Sequence, residues 1–429
     1  MLLERDLIQS TGFRNVRTGG EVTGFQLRVR IPNYRGVAAS LIDGISVRVG
    51  SSVHVPADQP LWTFAGTTYT LAELWESENV RWALEEAAVV TVPWLGGLPE
   101  GTHEVSVEVR LRASYIPIEH QPTVSRSTRH VTLSSDVAGE PFKYGVSLYS
   151  YTDDFGTVLD LETALAAVAD VNATGVEILG EGHVANYPQP SSAWIDSWFG
   201  LLEKYSLEAT NYGSWIDTRL HPGRSMTAVE GAAAVARDLR LAKQLGFTSV
   251  RPKIGVVSSD LVPDPIWTEA IERSLDLAAS LDVIICPEIH SPTPIKHPVV
   301  DDYIDLIERT GTKHFGLLLD TGIFQDRPIP LRPGETRETR PAFLDGIGVD
   351  PADIADVAKY VVFIQAKFHD IDETLEDQQI PWEPVLRSLK QSGYTGYLSS
   401  EYEGDRLPWR SLEQVRRQHS LMRQTAARL

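Results

Sequence analysis

Four apolar runs in the second half of this sequence end in residues able to hold a cation or move a proton. "VIICPEIH" ends with Glu288 and His290, "FGLLLDTGI" carries Asp320, "VVFIQAKF" carries Gln365 and Lys367, and "GYLSSEYE" carries Glu401 and Glu403. Alternation along a strand points residues two apart to one face, so Glu288 pairs with His290, Gln365 with Lys367 and Glu401 with Glu403. A carboxylate in a dry interior costs several kcal/mol unless something compensates it. Brought together, Glu288, Asp320 and Glu401 would push each other's pKa upward unless a cation lay between them. Those three carboxylates with the Gln365 carbonyl make a hard, all-oxygen metal site. It suits Mn2+, or else Mg2+, better than Zn2+. His369, in "KFHDID", would move the preference towards Zn or Fe if it replaced Gln365. His290 is the candidate general base, since an imidazole can accept a proton at neutral pH. Lys367 is a second catalytic candidate, placed to stabilise a developing negative charge or, structurally, to pair with Glu401 or Glu403.

Those runs need a scaffold that brings their ends to one place. From Phe142 onward, short apolar strands alternate with helix-length amphipathic segments: "YGVSLYSY", "GVEILG", "ATNYGSW", "SVRPKIG", "VIICPEI", "FGLLLDTGI", "VVFIQAKF" and "GYLSSEYE" are strand candidates. Eight strand–helix units in about 290 residues predict a closed (β/α)8 TIM barrel, whose chemistry sits at the C-terminal ends of the strands. An open doubly wound sheet would offer a glycine-rich phosphate loop after its first strand, and "SLYSYTDDFG" is not one. The other strand ends add Glu177 and His183, Trp215 and Asp217, and Arg251 and Lys253. Arg251, Lys253, His183, Trp215 and Glu403 are the candidates for substrate binding, with Trp215 offering a flat face for stacking.

The first 118 residues follow a different period. "FQLRVRI" sets Phe25, Leu27, Val29 and Ile31 on one face, and "HEVSVEVRLRASY" alternates Val105, Val107, Val109, Leu111 and Ala113 with polar partners. With turn clusters between the runs, this predicts an all-β, sandwich-like domain over 1–118. Tyr34, Arg35, Asp43 and His103 fall on its turns and sheet surface and form no cluster. Residues 119–141, rich in Ser, Thr and Pro, are expected to be a linker with one short strand at "RHVTL", and 142–429 the barrel. The β domain is expected to scaffold the barrel mouth or help close a substrate pocket, and to bury an interface with the barrel of its own or a neighbouring chain.

A net charge of -19 without long acidic runs describes a solvated surface and opposes nucleic-acid binding. Cys286, the only cysteine, lies inside an apolar run and reads as a packing residue. No segment is apolar enough to span a bilayer and "MLLERDLIQS" is not a signal peptide, so a cytoplasmic protein is expected.

Phe142–Leu429 resembles the sugar isomerase and epimerase superfamily of xylose isomerase-like barrels. Through "KYGVSLYSYTDDF", "GVEILGEGHVANYPQPS", "NYGSWIDTRL", "IQAKFHDID" and "YLSSEYEGDR" it is similar to the catalytic alpha subunit of bacterial C-glycoside deglycosidases. "RDLIQSTGFRNV", "GFQLRVRIPNYRG", "LIDGISVRVG" and "GLPEGTHEVSVEVRLRASYIP" resemble the separate beta subunit of the same enzymes, which implies a fusion of the two. Many sugar epimerases of the superfamily carry His where this chain has Gln365.

The resemblance implies a lyase that cleaves the carbon–carbon glycosidic bond of 3-oxo-C-glycosides, with a divalent metal, by proton abstraction at sugar C2 and elimination of the aglycone. It also implies a separate oxidoreductase that makes the 3-keto substrate, and a homo-oligomer is expected. A ketose epimerase or aldose–ketose isomerase is the alternative, because it uses the same metal and carboxylates. A sugar-binding protein with a structural metal is a further one. An abasic-site endonuclease shares the barrel but needs a basic groove, which this chain lacks.

Overall fold

The computed structural model describes residues 3–134, 141–331, 334, 336, 338, 344–405 and 407–429. In the N-terminal part, two antiparallel sheets face each other. One runs in the order Arg14–Thr18, Glu21–Val29, Ala88–Pro93, Leu61–Phe64 and Thr67–Tyr69; the other in the order Thr123–Thr132, Thr102–Leu111, Ile42–Val49 and Val53–Val55. The period-two residues supply the core: Phe25, Leu27, Val29, Val105, Val107 and Val109 are buried with Trp62 and Trp82. Asp43 pairs with Arg112 at 2.7 Å, and His103 bonds the Pro99 carbonyl at 2.8 Å, so both serve the sandwich itself.

The segment expected as a linker is structural over most of its described length. Thr123–Thr132 is a ten-residue strand paired in unbroken register with Thr102–Leu111. Alternating Ser, Thr and Arg disguised it, because one face of an outer strand meets water and leaves little apolar signal. Residues 135–140 of that segment lie outside the described ones.

The C-terminal part is a parallel barrel with the eight expected strands in sequence order. Lys143–Ser147 pairs with both Gly175–Leu179 and Tyr397–Tyr402, and on each side the neighbours follow in turn. The fifth strand is split into Ile284–Ile285 and Glu288–Ile289. Pro287 between them has no N–H to give a ladder. The barrel still closes there, through Cys286 N to Val250 O at 2.8 Å and Gly316 N to Ile285 O at 2.9 Å. Outer helices bury one stripe each; Trp382–Gln391 buries Trp382, Val385, Leu386 and Leu389, at helical spacing.

The last helix, Arg410–Arg428, is buried along most of its length because it lies between helix Trp382–Gln391 and strand Tyr397–Tyr402 of the barrel and strand Thr123–Thr132 of the β domain. Glu413 accepts from Thr132 N and Oγ1 at 3.1 and 2.6 Å. Asp170, at the end of helix Leu161–Asp170, accepts from Gly12 N at 2.9 Å and pairs with Arg14 and with the buried Arg416. The β domain thus buries an interface with the outer helices of its own barrel, as expected, and none of its described residues lines the mouth cavity described below. No helix among the described residues is long and apolar enough to cross a membrane.

Candidate active site at the barrel mouth

Strand register decides which chemistry-bearing side chains meet. Asp320 lies beside Gln365 on the neighbouring strand, and Lys367 lies beside Glu401 on the next. At the C-terminal ends of the strands these residues surround a cavity of 310 Å³ lined by Glu288, His290, Lys367, Glu401 and Glu403. Trp215, Arg251 and Lys253 line it too, with Tyr149, Leu179, Val256 and Leu261 as its apolar wall. The volume is at the lower end of the range for small-ligand sites.

Lys367 is the hub. Its Nζ lies 2.6 Å from His290 Nε2, 2.9 Å from Asp320 Oδ2, 3.2 Å from Glu403 Oε1 and 3.4 Å from Glu401 Oε1. Burial works against its charge, but Asp320, Glu403 and Glu401 outweigh it and hold Lys367 well above the ordinary lysine range. The two carboxylates on the eighth strand diverge. Burial raises Glu401 well above the usual range, against the pull of Lys367. Burial also opposes the charge of Glu403, yet Lys367, His290 and His369 bring it down to about 2. One ammonium cannot satisfy both equally.

Glu288 is compensated from the other side, by Lys253 at 3.3 Å and Arg251 at 3.6 Å. These cations overcome its burial and hold it well below the usual carboxylate range. Both also lie 5.6 Å from the ring centre of Trp215, which is 44% exposed at the rim. The His290 Nδ1 bonds the Ser291 carbonyl, which must accept. That assigns the proton to Nδ1 and leaves the Nε2 lone pair facing Lys367 and Asp320. Burial and then Lys367 lower its pKa, against the pull of Glu288 and Asp320.

A divalent cation fits this donor set. One oxygen each from Glu288 and Asp320 and one ring nitrogen of His290 lie within 4.8 Å of one another. Gln365 Oε1 is buried and accepts no hydrogen bond among the described residues, and Asp320 Oδ2 pairs closely with Lys367 alone, at 2.9 Å. His290, read from sequence as the base, thus stands among the cation donors as well, while Glu401 falls outside that trio and is held by Lys367. Gln365 is fully buried, its Nε2 donating to Glu177 at 2.7 Å.

Some expected residues do not join. The short helix Gly180–His183 turns His183 inward, where its Nδ1 accepts from Leu179 N at 3.0 Å and its ring meets Phe155 edge-on. Burial lowers it to about 4, and it is not among the residues that line the mouth cavity. Asp217 is exposed, and His369 is buried against the Glu403 carbonyl. Cys286 is buried, with burial pushing its thiol up to about 12, as a packing residue should be. Sequence reasoning missed Tyr149 and the wall residues Leu179, Val256 and Leu261. Tyr149 follows the first strand in "LYSY", a position that could have signalled it.

Residues 165–425 match the family described as xylose isomerase-like TIM barrel, and residues 3–115 match C-glycoside deglycosidase beta subunit. The chain belongs to the xylose isomerase-like TIM barrel family and carries a C-glycoside deglycosidase beta-subunit domain ahead of it. Over 340 residues it is 26% identical to the 3'-dehydrocarminate deglycosidase alpha subunit of Microbacterium sp, covering 66% of this chain and 94% of that one. Over 116 residues it is 39% identical to the C-glycoside deglycosidase beta subunit of Eubacterium cellulosolvens, covering 27% of this chain and 78% of that one. A solved L-ribulose 3-epimerase superposes with a TM-score of 0.48 at 15% identity, over 67% of this chain and 96% of that one.

Proposed function

We propose that this chain is a metal-dependent carbon–carbon lyase that cleaves 3-oxo-C-glycosides, with alpha-like and beta-like parts in one polypeptide. The observation that carries the reading is the His290 ring: its Nδ1 is tied to the Ser291 carbonyl, and its Nε2 faces Lys367 and Asp320 in a cavity rimmed by Trp215. That is the arrangement a base needs to take a proton from a carbon next to a ketone. The similarity to deglycosidase alpha and beta subunits supports the substrate class.

A ketone at sugar C3 acidifies the hydrogen on C2. Lys367 turns an N–H from His290 Nε2 to the oxygen on which charge develops, and the Nε2 lone pair so freed accepts the C2 proton. A divalent cation, most suitably Mn2+, would be held by Glu288 and Asp320 with the Gln365 carbonyl near by, and would supply further polarisation of the ketone. Collapse of the enolate forms the C1–C2 double bond and breaks the bond from C1 to the aglycone carbon. That carbon takes up a proton as it leaves, so the sum is one C–H and one C–C bond broken and one C=C and one C–H bond made. No water attacks. Trp215 stacks against the aglycone, and Arg251 and Lys253 stand beside it to stabilise a departing phenolate. Glu403 is in place to bind a sugar hydroxyl. The substrate's C3 ketone requires a separate oxidoreductase upstream.

The test is a product assay. Protein loaded with Mn2+ is mixed with a 3-oxo-C-glucoside of a phenolic aglycone and followed by chromatography, with an EDTA-treated control. Metal-dependent release of the free aglycone supports the lyase. No release, together with metal-dependent interconversion of free ketoses, would sink it in favour of an epimerase.

A further inference from the structure

Glu177, on the second barrel strand, is fully buried and lines no part of the mouth cavity. It accepts hydrogen bonds from Gln365 Nε2 at 2.7 Å, Asn211 Nδ2 at 2.9 Å and Ser399 Oγ at 2.9 Å. A carboxylate offers acceptors only, whereas a side-chain amide has NH2 at one end and a carbonyl oxygen at the other. Held by its NH2, each amide must turn its oxygen away from Glu177. For Asn211 that oxygen finds a donor, Ser249 Oγ at 2.8 Å. For Gln365 it finds none among the described residues, although it is buried. Leaving a buried acceptor unpaired is costly, so the arrangement calls for an explanation. Beside Gln365, across the strand pair, stands Asp320, whose Oδ2 pairs with the Lys367 ammonium at 2.9 Å.

We propose that Glu177 is a positioning residue for the cation: by holding the Gln365 NH2 it fixes the amide with Oε1 presented to the donor group around Asp320. The proposal rests on the metal reading given above and deepens it. A hydrogen bond from outside that orients a ligand is a general device of metal sites.

The test titrates manganese(II) chloride into metal-free, full-length protein, read by calorimetry and by the electron paramagnetic resonance of the bound ion. The variants are Glu177→Met, Gln365→Leu and the double substitution. Glu177→Met keeps the length of the side chain and removes every acceptor, so the Gln365 NH2 loses the group that fixes it. The expected result is a Kd for Mn2+ raised about ten- to a hundred-fold in each single variant, with the double variant no weaker than Gln365→Leu alone. Unchanged affinity in a folded Glu177→Met protein, or a further loss when it is added to Gln365→Leu, would overturn the proposal. Should Glu177→Met fail to fold, unchanged affinity in Gln365→Leu would overturn it equally. Absence of Mn2+ binding by the unsubstituted protein would bring down the metal reading and this proposal together.

Discussion

The Lys367 ammonium lies 2.6 Å from the His290 Nε2 lone pair and 2.9 Å from Asp320 Oδ2. A proton acceptor and an electrophilic donor therefore stand side by side, while the carboxylates that stabilise Lys367 keep it from giving its own proton to His290. Replacing His290 by Ala is expected to lower kcat about 10²- to 10⁴-fold in the aglycone-release assay. Activity within a few-fold of the parent would take the role of base away from His290.

Lys367→Met leaves Asp320, Glu401 and Glu403 without their shared cation. Breaking a buried ion pair at one partner costs about 3–5 kcal/mol, and the variant is expected to lose that much in urea unfolding at neutral pH. Added Mn2+ should recover part of the loss, because it supplies charge to the same oxygens. A melt indistinguishable from the parent would show that those carboxylates do not depend on Lys367.

Trp215 is half exposed, so its removal should change stability by no more than about 0.5 kcal/mol. If it stacks on the aglycone, Trp215→Ala should raise KM about tenfold for an aromatic aglycone and Trp215→Phe much less. Equal KM values for all three proteins would remove Trp215 from the substrate site.

Asp170 ties the two parts of the chain together through Arg14, Gly12 and Arg416. Asp170→Ala strands the buried Arg416 guanidinium and is expected to cost about 3–5 kcal/mol. Separate unfolding of the β domain and barrel in calorimetry, in place of one transition, would identify this contact as the latch; an unaltered thermogram would not.

Asp377 supplies a pH test away from the mouth. Burial raises it to about 6, although Gln379 N, Ile380 N and Trp382 Nε1 donate to it. Its folded pKa lies above its unfolded one, so folding favours the proton. Below about pH 4 both states carry it and nothing is lost. As pH rises from about 4 to about 6 the unfolded state ionises first, and stability falls by about 3 kcal/mol, then levels off. In Asp377→Asn that part of the slope should vanish. An identical pH dependence in the two proteins would contradict the assignment.

The sequence by itself determined the two architectures, because periods of two and 3.6 are local properties of side-chain burial. Alternation at Val105, Val107 and Val109 and the eight apolar runs after Phe142 became a sandwich core and a closed barrel. It also brought Glu288, His290, Lys367, Glu401 and Glu403 to one cavity, since parallel strands share a C-terminal edge. Only the tertiary structure decided which partner each residue met. Strand register set Lys367 among Asp320, Glu401 and Glu403, and a single helical turn took His183 away from the mouth. The orientation of the Gln365 amide depends on Glu177, 188 positions away in sequence, and no local pattern encodes it. The same holds for Thr123–Thr132, whose polar alternation became a strand only because Thr102–Leu111 offered it a full ladder of hydrogen bonds. Charge pairing and ladder completion are contacts between distant segments, so they exist only once the chain has closed on itself.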